Sequence, residues 1–137
     1  MSDVICDIIA GRLEAEVVWR DDRVIAFLDH RPVFTGHVLL APLEHVATLT
    51  DAPAELIAPL FLQVQRVADA VVTGLGADGS FTAVNTVVSQ SVPHLHVHVV
   101  PRHRKDGLRG FFWPRTKYAD GEAAGYAELL RTALAGA

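Results

Sequence analysis

The run Pro93-His94-Leu95-His96-Val97-His98-Val99-Val100 sets three imidazoles at every second position. On an extended chain, successive side chains point to opposite faces. His94, His96 and His98 then share one face, with neighbours about 6–7 Å apart, and Leu95, Val97 and Val99 face the core. A buried imidazole needs hydrogen-bond partners, so three in a row make a poor packing solution and point to function. Two chemistries use such a row. One is metal ligation, although no Asp or Glu lies within the run to complete a ligand set. The other is covalent catalysis, because a neutral imidazole, with a free pKa of about 6.5, attacks well near neutral pH. Gln90 and Ser91 precede the run and could bind a charged phosphorus centre. His37 and His45 lie upstream.

Several short elements must hold these side chains. Apolar residues at Val4, Ile5, Ile8 and Ile9 predict a short helix over 3–11, closed by Gly11. Runs over 16–20 and 23–28 around Asp21-Asp22 read as a hairpin, and 37–41 as a buried strand stopped by Pro42. Ala54 to Val72 is the long helix, ended by Gly74 and Gly76. Residues 81–88 and 95–100 read as strands, with Pro93 tolerated just before the second. Glu122 to Leu134 forms a terminal helix. Strand hairpins flanking one long helix, without regular βα alternation, predict an α+β fold with an antiparallel sheet. No repeat or linker interrupts the chain, so 1–137 reads as one domain.

Half of the 137 residues are apolar and a fifth are charged, which excludes a disordered chain. Cys6, the only cysteine, rules out an intrachain disulfide and fits a reducing compartment. Without a basic N-terminal region and apolar core, a signal peptide is not expected, and a cytoplasmic protein is the default reading. The apolar stretch Leu56–Leu62 is far short of a bilayer span. A net charge of −4 argues against a nucleic-acid polymer as partner. Arg102, Arg104, Lys105, Arg109, Arg115 and Lys117 nonetheless gather half of the twelve cations in one segment. That suits a small anionic ligand, with an exposed basic loop as the competing reading.

The motif His94-Leu95-His96-Val97-His98-Val99-Val100 resembles the His-φ-His-φ-His-φ-φ signature of the histidine triad (HIT) family, in its Hint- and Fhit-like branches. Gln90-Ser91-Val92, Gly36-His37-Val38-Leu39-Leu40 and Ala26-Phe27-Leu28-Asp29 stand in the family's order over residues 3 to 102. The resemblance implies an α+β homodimer. It implies a nucleotide hydrolase or transferase that cleaves a nucleoside monophosphate, AMP in the favoured reading, from a phosphoramidate, dinucleoside polyphosphate or related leaving group. His96 would be the nucleophile and carry a nucleotidyl-histidine. His98 and His37 would hold its tautomer through a hydrogen-bond chain, and His94 would sit near the phosphate and leaving group. Asn85, Gln90 and Ser91 would bind the phosphate or leaving group. Asp29 would take the ribose hydroxyls, with a strand-end turn as its competing role. Ile5, Ile8, Phe27 and His30 would wall the base pocket, with core packing as the alternative. A nucleotide-binding regulatory module with weak catalysis and a zinc-dependent hydrolase stand as the alternative functions.

Three departures from the family pattern follow. The segment Asn85-Thr86-Val87-Val88-Ser89 is about two residues short and lacks the glycine of related loops, so it must take another path. Zinc-containing relatives carry Cys-x-x-Cys near the N-terminus, where this chain has Asp3-Val4-Ile5-Cys6. A histidine nucleophile requires no cofactor. No metal is favoured, and a structural zinc at Asp3, Cys6, His45 and His94 stands against an ordinary packed Cys6. Finally, Gly110-Phe111-Phe112-Trp113-Pro114-Arg115 lies beyond the common core. It reads as a dimer contact or as an aromatic lid on the partner's nucleotide, in a basic, aromatic C-terminal extension over 103–137.

Overall fold

A computed structural model describes residues 3–108 and 115–136, so the readings placed on Arg109, Phe111, Phe112 and Trp113 lie outside the described residues. Two compact units result, Met1–Asp106 and Gly107–Ala137.

The first unit opens with helix α1 (Val4–Ile9), strand β1 (Val17–Arg20), strand β2 (Val24–Leu28) and strand β3 (Val38–Pro42). Helix α2 (Ala54–Thr73), strand β4 (Gly79–Ala83) and strand β5 (Val97–Arg102) complete it. The five strands form one antiparallel sheet in the order β1-β2-β3-β5-β4. The α+β antiparallel architecture agrees with the sequence reading. Asp21 turns the β1–β2 hairpin by accepting the N–H groups of Arg23 and Val24 through one carboxylate oxygen.

Alternation along the strands sorts side chains onto two faces. Val24, Ala26, Val38, Leu40, Val97 and Val99 face α2, which lays Leu60, Val64 and Val71 on them. Leu60 has no exposed surface, and truncating it to alanine would cost about 2–5 kcal/mol. Ile25, Phe27 and Ala41 face the other way and pack with Ile5 of α1. His98 pairs with Leu39 on this second face, so the α1 side of the sheet carries the histidines.

By length and composition alone α2 could cross a membrane. It instead spends its apolar stripe on the sheet, with Glu55, Arg66 and Asp69 off that stripe. Pro59 lies inside this helix. Lacking an N–H, it leaves the carbonyl of Glu55 without its helical donor, and the Arg23 guanidinium donates to that oxygen instead at 3.3 Å.

Two strands differ from the sequence reading. The segment expected to be strand to Val88 leaves the ladder after Ala83, whose partner is His98. Beyond that point the β5 side has no ladder to offer, because the segment before Val97 is bent toward α1 and the β3–α2 loop. β5 therefore begins at Val97, not Leu95, and the Leu95 N–H bonds the carbonyl of Val46 at 2.8 Å. Ahead of the site, Gly36 has φ +91°, and a Cβ there would lie 2.6 Å from Leu75 Cδ1. Only glycine lets the chain pass so close to the end of α2 and deliver His37 into β3.

The second unit contains helix α3 (Glu122–Ala135), whose side chains are nearly all exposed. Glu122 accepts the Ala119 N–H ahead of its first turn.

Candidate active site

The histidines do not form one row. Because the strand starts at Val97, His94 and His96 are not bound to strict alternation, and the imidazoles divide into two clusters. His96 and His98 lie with ring centroids 5.1 Å apart, and His98 and His37 5.2 Å apart. His94 turns away to pack edge-on against His45 at 4.9 Å.

In the first cluster main-chain groups fix the protons of His96 and His37, and His37 in turn fixes that of His98. Nδ1 of His96 lies 2.7 Å from the carbonyl oxygen of His94. A carbonyl only accepts, so His96 carries its proton on Nδ1 and keeps the lone pair on Nε2. His37 Nδ1 accepts the Val33 N–H at 3.1 Å, which places the His37 proton on Nε2, donated to His98 Nδ1 at 3.0 Å. His98 must then bear its own proton on Nε2. The expected chain from His37 and His98 to the nucleophile is thus corrected. Those two form their own pair, and a main-chain carbonyl holds His96. No sequence signal could have marked the carbonyl, since every residue has one.

Burial, and then the facing His96 and His37, push the His98 pKa down to about 4, against a weaker pull from Asp29. Burial also lowers His37. Both rings are therefore neutral near pH 7, as the hydrogen-bond pattern requires. Asp29 Oδ2 stands 3.8 Å from His37 Nδ1, and its Oδ1 accepts the Arg31 N–H at 2.9 Å. Asp29, His37 and His98 together could be read as metal donors. However, the facing His37 and His98 nitrogens share a proton and His37 Nδ1 is occupied by Val33, so this set does not fit an ion.

The second cluster is different. Asp3 caps α1 by accepting the Cys6 N–H on Oδ1 at 2.8 Å, which leaves Oδ2 free to face inward. Oδ2 lies 3.1 Å from His45 Nδ1, 3.5 Å from His94 Nδ1 and 3.5 Å from Cys6 Sγ. Cys6 Sγ is 3.5 Å from each imidazole nitrogen, and the two nitrogens are 3.2 Å apart. These six separations define a nearly regular tetrahedron. A point at its centre lies about 2.1 Å from each corner, which is the range of Zn–N and Zn–O bonds and slightly below Zn–S. His94 Nε2 donates to the Pro42 carbonyl at 2.9 Å, so its Nδ1 presents a lone pair inward. Burial opposes charge on Asp3, but the Cys6 N–H and the flanking imidazoles hold its carboxyl below the usual range. Carboxylate, thiol and two imidazoles thus converge on one point, and the donor set fits a zinc ion. The reading of Cys6 as an ordinary packed residue gives way to this arrangement. Four protein donors also close the coordination shell, which is the pattern of a structural rather than a catalytic zinc.

The remaining candidates scatter. Gln90 was expected on the phosphate or leaving group. Its carboxamide is instead consumed by the main chain: Oε1 accepts the Val87 N–H at 3.0 Å, and Nε2 donates to Ala47 at 2.6 Å and Val92 at 3.1 Å. It braces the short loop, in which Val87 and Ser89 take φ values of 67° and 64° where glycine would be at ease. Asn85 and Ser91 lie exposed at the ends of that loop. Ile5 and Phe27 are core residues, 2% and 3% exposed, and Ile8 packs beside them only partly buried. The His30 ring stands in solvent, 3.9 Å from Asp29.

A model of the HIT domain matches residues 10–105. The chain belongs to the HIT family. An uncharacterised HIT-like protein of Mycobacterium tuberculosis is 38% identical over 140 residues, covering 98% of this chain and 94% of that one. An adenylylsulfatase of Arabidopsis thaliana is 32% identical over 77% of this chain and 54% of its own length. Among solved structures, a zinc-bound histidine triad protein of Mycobacterium smegmatis is 39% identical, with a TM-score of 0.75, covering 99% of this chain and 95% of that one. Within this HIT protein, the matched region spans the sheet, α2 and all five clustered histidines of the two sites.

Proposed function

We propose that this HIT protein is a nucleotidyl hydrolase or transferase working through a covalent bond to Nε2 of His96. The observation that carries the reading is the bond from His96 Nδ1–H to the His94 carbonyl, because it aims an unprotonated nitrogen away from the main chain. In the step proposed, the Nε2 lone pair attacks the α-phosphorus of an AMP-linked substrate. The bond to the leaving group breaks with its electron pair, and the leaving group takes up a proton from solvent. Charge that appears on the imidazole is spread to the His94 carbonyl through Nδ1–H. Water then attacks phosphorus and gives up a proton to solvent, the N–P bond breaks with its electron pair returning to Nε2, and the nucleoside monophosphate leaves with His96 restored. His98, neutral and protonated on Nε2, supplies a hydrogen bond to a phosphoryl oxygen. Asp29 takes the ribose hydroxyls with its inner oxygen.

Phosphoramidates, dinucleoside polyphosphates and adenylyl sulfates present the same AMP half, and the adenylylsulfatase relative supports that class. Asp3, Cys6, His45 and His94 would hold a zinc ion whose chemistry there is to cross-link α1, the loop after β3 and the segment before β5. The closed donor set argues against a zinc-dependent hydrolase. β1 and β4 are the outer strands of the sheet among the described residues, an outer strand is where a second copy can add, and the reading includes a homodimer. The test is a panel of AMP-linked substrates with rapid acid and base quenching. A phosphorus-labelled nucleotide on the chain, stable to base and labile to acid, is the expected result. Turnover without any such adduct, from the wild type and undiminished in His96→Ala, would overturn it.

A further inference from the structure

One residue belongs to both histidine clusters. The side chain of His94 points Nδ1 into the tetrahedron with Asp3, Cys6 and His45, and its carbonyl accepts the Nδ1–H of His96. The residue is wholly buried and clamped a third time, Nε2 to the Pro42 carbonyl. Beyond it, Leu95 is tied to Val46, one residue after His45. The main chain from 94 to 96 is therefore hung between the donor cluster and the first turn of β5, in a stretch with no ladder of its own.

We infer that a divalent metal ion on Asp3, Cys6, His45 and His94 acts as a positioning centre for the nucleophile, fixing through residue 94 the carbonyl that selects the tautomer and direction of His96. The inference rests on the nucleotidyl-transfer reading of His96. A proton on His45 could satisfy its contacts with Asp3 and His94, but it leaves the Cys6 edges weak. An ion satisfies all six and locks the ring of His94. With the ion gone, two inward-facing imidazole nitrogens 3.2 Å apart must rearrange, and the ring that moves is attached to the carbonyl beneath His96. The ion would act here by holding geometry, with no contact to the reacting phosphorus.

The experiment compares metal-free and Zn²⁺-loaded full-length protein. Dialysis against chelator and back-titration with Zn²⁺ should give one equivalent per chain. Co²⁺ substitution should show thiolate-to-metal absorption that Cys6→Ser abolishes. Long-range ¹H–¹⁵N spectra should show His96 as a single Nδ1–H tautomer when loaded and as a mixture when stripped, with far-UV circular dichroism unchanged. The single-turnover rate of His96 nucleotidylation should fall at least tenfold on stripping, with KM nearly constant, and return on adding Zn²⁺. Asp3→Asn, which keeps the helix cap, should reproduce the stripped state without a chelator. An unchanged His96 tautomer and rate in protein shown to have lost its ion would overturn the coupling. Failure to take up one equivalent would overturn it too. Absence of any nucleotidyl adduct in the loaded protein, with the tautomer shift intact, would instead defeat the functional reading and leave the coupling standing.

Discussion

The His94 carbonyl accepts the Nδ1–H of His96 at 2.7 Å, so the tautomer of the proposed nucleophile is set by the peptide two residues before it. Removing the imidazole removes the covalent route without touching that peptide. His96→Ala is expected to lower kcat by several orders of magnitude. Nucleotide binding, read by equilibrium titration, and the thermal midpoint should stay close to wild type. Turnover within tenfold of wild type would sink the covalent mechanism.

The buried histidines make stability depend on pH. His98 is held at about 4 when folded and titrates near 6.5 when unfolded. Between those values the unfolded chain binds the extra proton, so stability rises with pH across the window and falls as pH drops from about 6.5 toward 4. His37 and His94, lowered mainly by burial, act in the same direction. Asp3 and Asp21 have lowered pKa values and lose their contribution only below about 4. Denaturation midpoints at steps between pH 4 and 7 should show the slope. His98→Asn should flatten it, and an unaltered slope in that variant would refute the assignment.

Which parts were legible in sequence follows from what each signal encodes. The stripe of α2 and the hairpin around Asp21 were readable because burial and turn chemistry are local. β4 and β5 were misjudged at their inner ends, because strand length depends on where the neighbouring strand stops. Val84 to Val88 has strand composition but no partner to pair with. The split of the histidines was hidden for the same reason, since period two predicts one face only while a strand persists. Asp3 and Cys6 could be placed near His45 and His94 only through resemblance to a family. Their separation in sequence carries no periodicity.

Gln90 offers a test of that hidden layer. Its carboxamide joins Val87, Ala47 and Val92, groups that would lose their partner in Gln90→Ala. A loss of about 1–3 kcal/mol in unfolding free energy is expected. Gln90→Glu should cost at least as much, because an oxygen would face two carbonyls. A large drop in kcat with the denaturation midpoint unchanged in both variants would return Gln90 to the leaving group.

Val87 is a β-branched residue at φ 67°, 73% exposed. A left-handed conformation costs a non-glycine residue on the order of 1–3 kcal/mol. Glycine removes that strain but gives back roughly 0.5–1 kcal/mol through the freedom of the unfolded chain. Val87→Gly should therefore raise stability slightly, by about 0–2 kcal/mol, in urea melts. A clear destabilisation would show that the valine is not strained.

Asp29 should distinguish sugars. It follows the last residue of β2, its N–H bonded to the His37 carbonyl at 2.9 Å and its Oδ1 taken by Arg31. These two bonds fix the carboxylate so that Oδ2 is turned toward the side of His37, where it can accept from a diol. A carboxylate accepts only, and the vicinal hydroxyls of a ribose donate two hydrogen bonds. Bonds to a charged acceptor contribute about 1.5–3 kcal/mol, so Asp29→Ala should raise KM for a ribonucleotide substrate roughly 10- to 100-fold. For the matching 2′,3′-dideoxy substrate, the wild type should already bind weakly and the variant should change little. The difference between the two substrates is the informative quantity, because a general loosening of the β2–β3 turn would weaken both alike. Equal losses on ribose and dideoxyribose substrates would show that Asp29 only shapes the turn that presents His37.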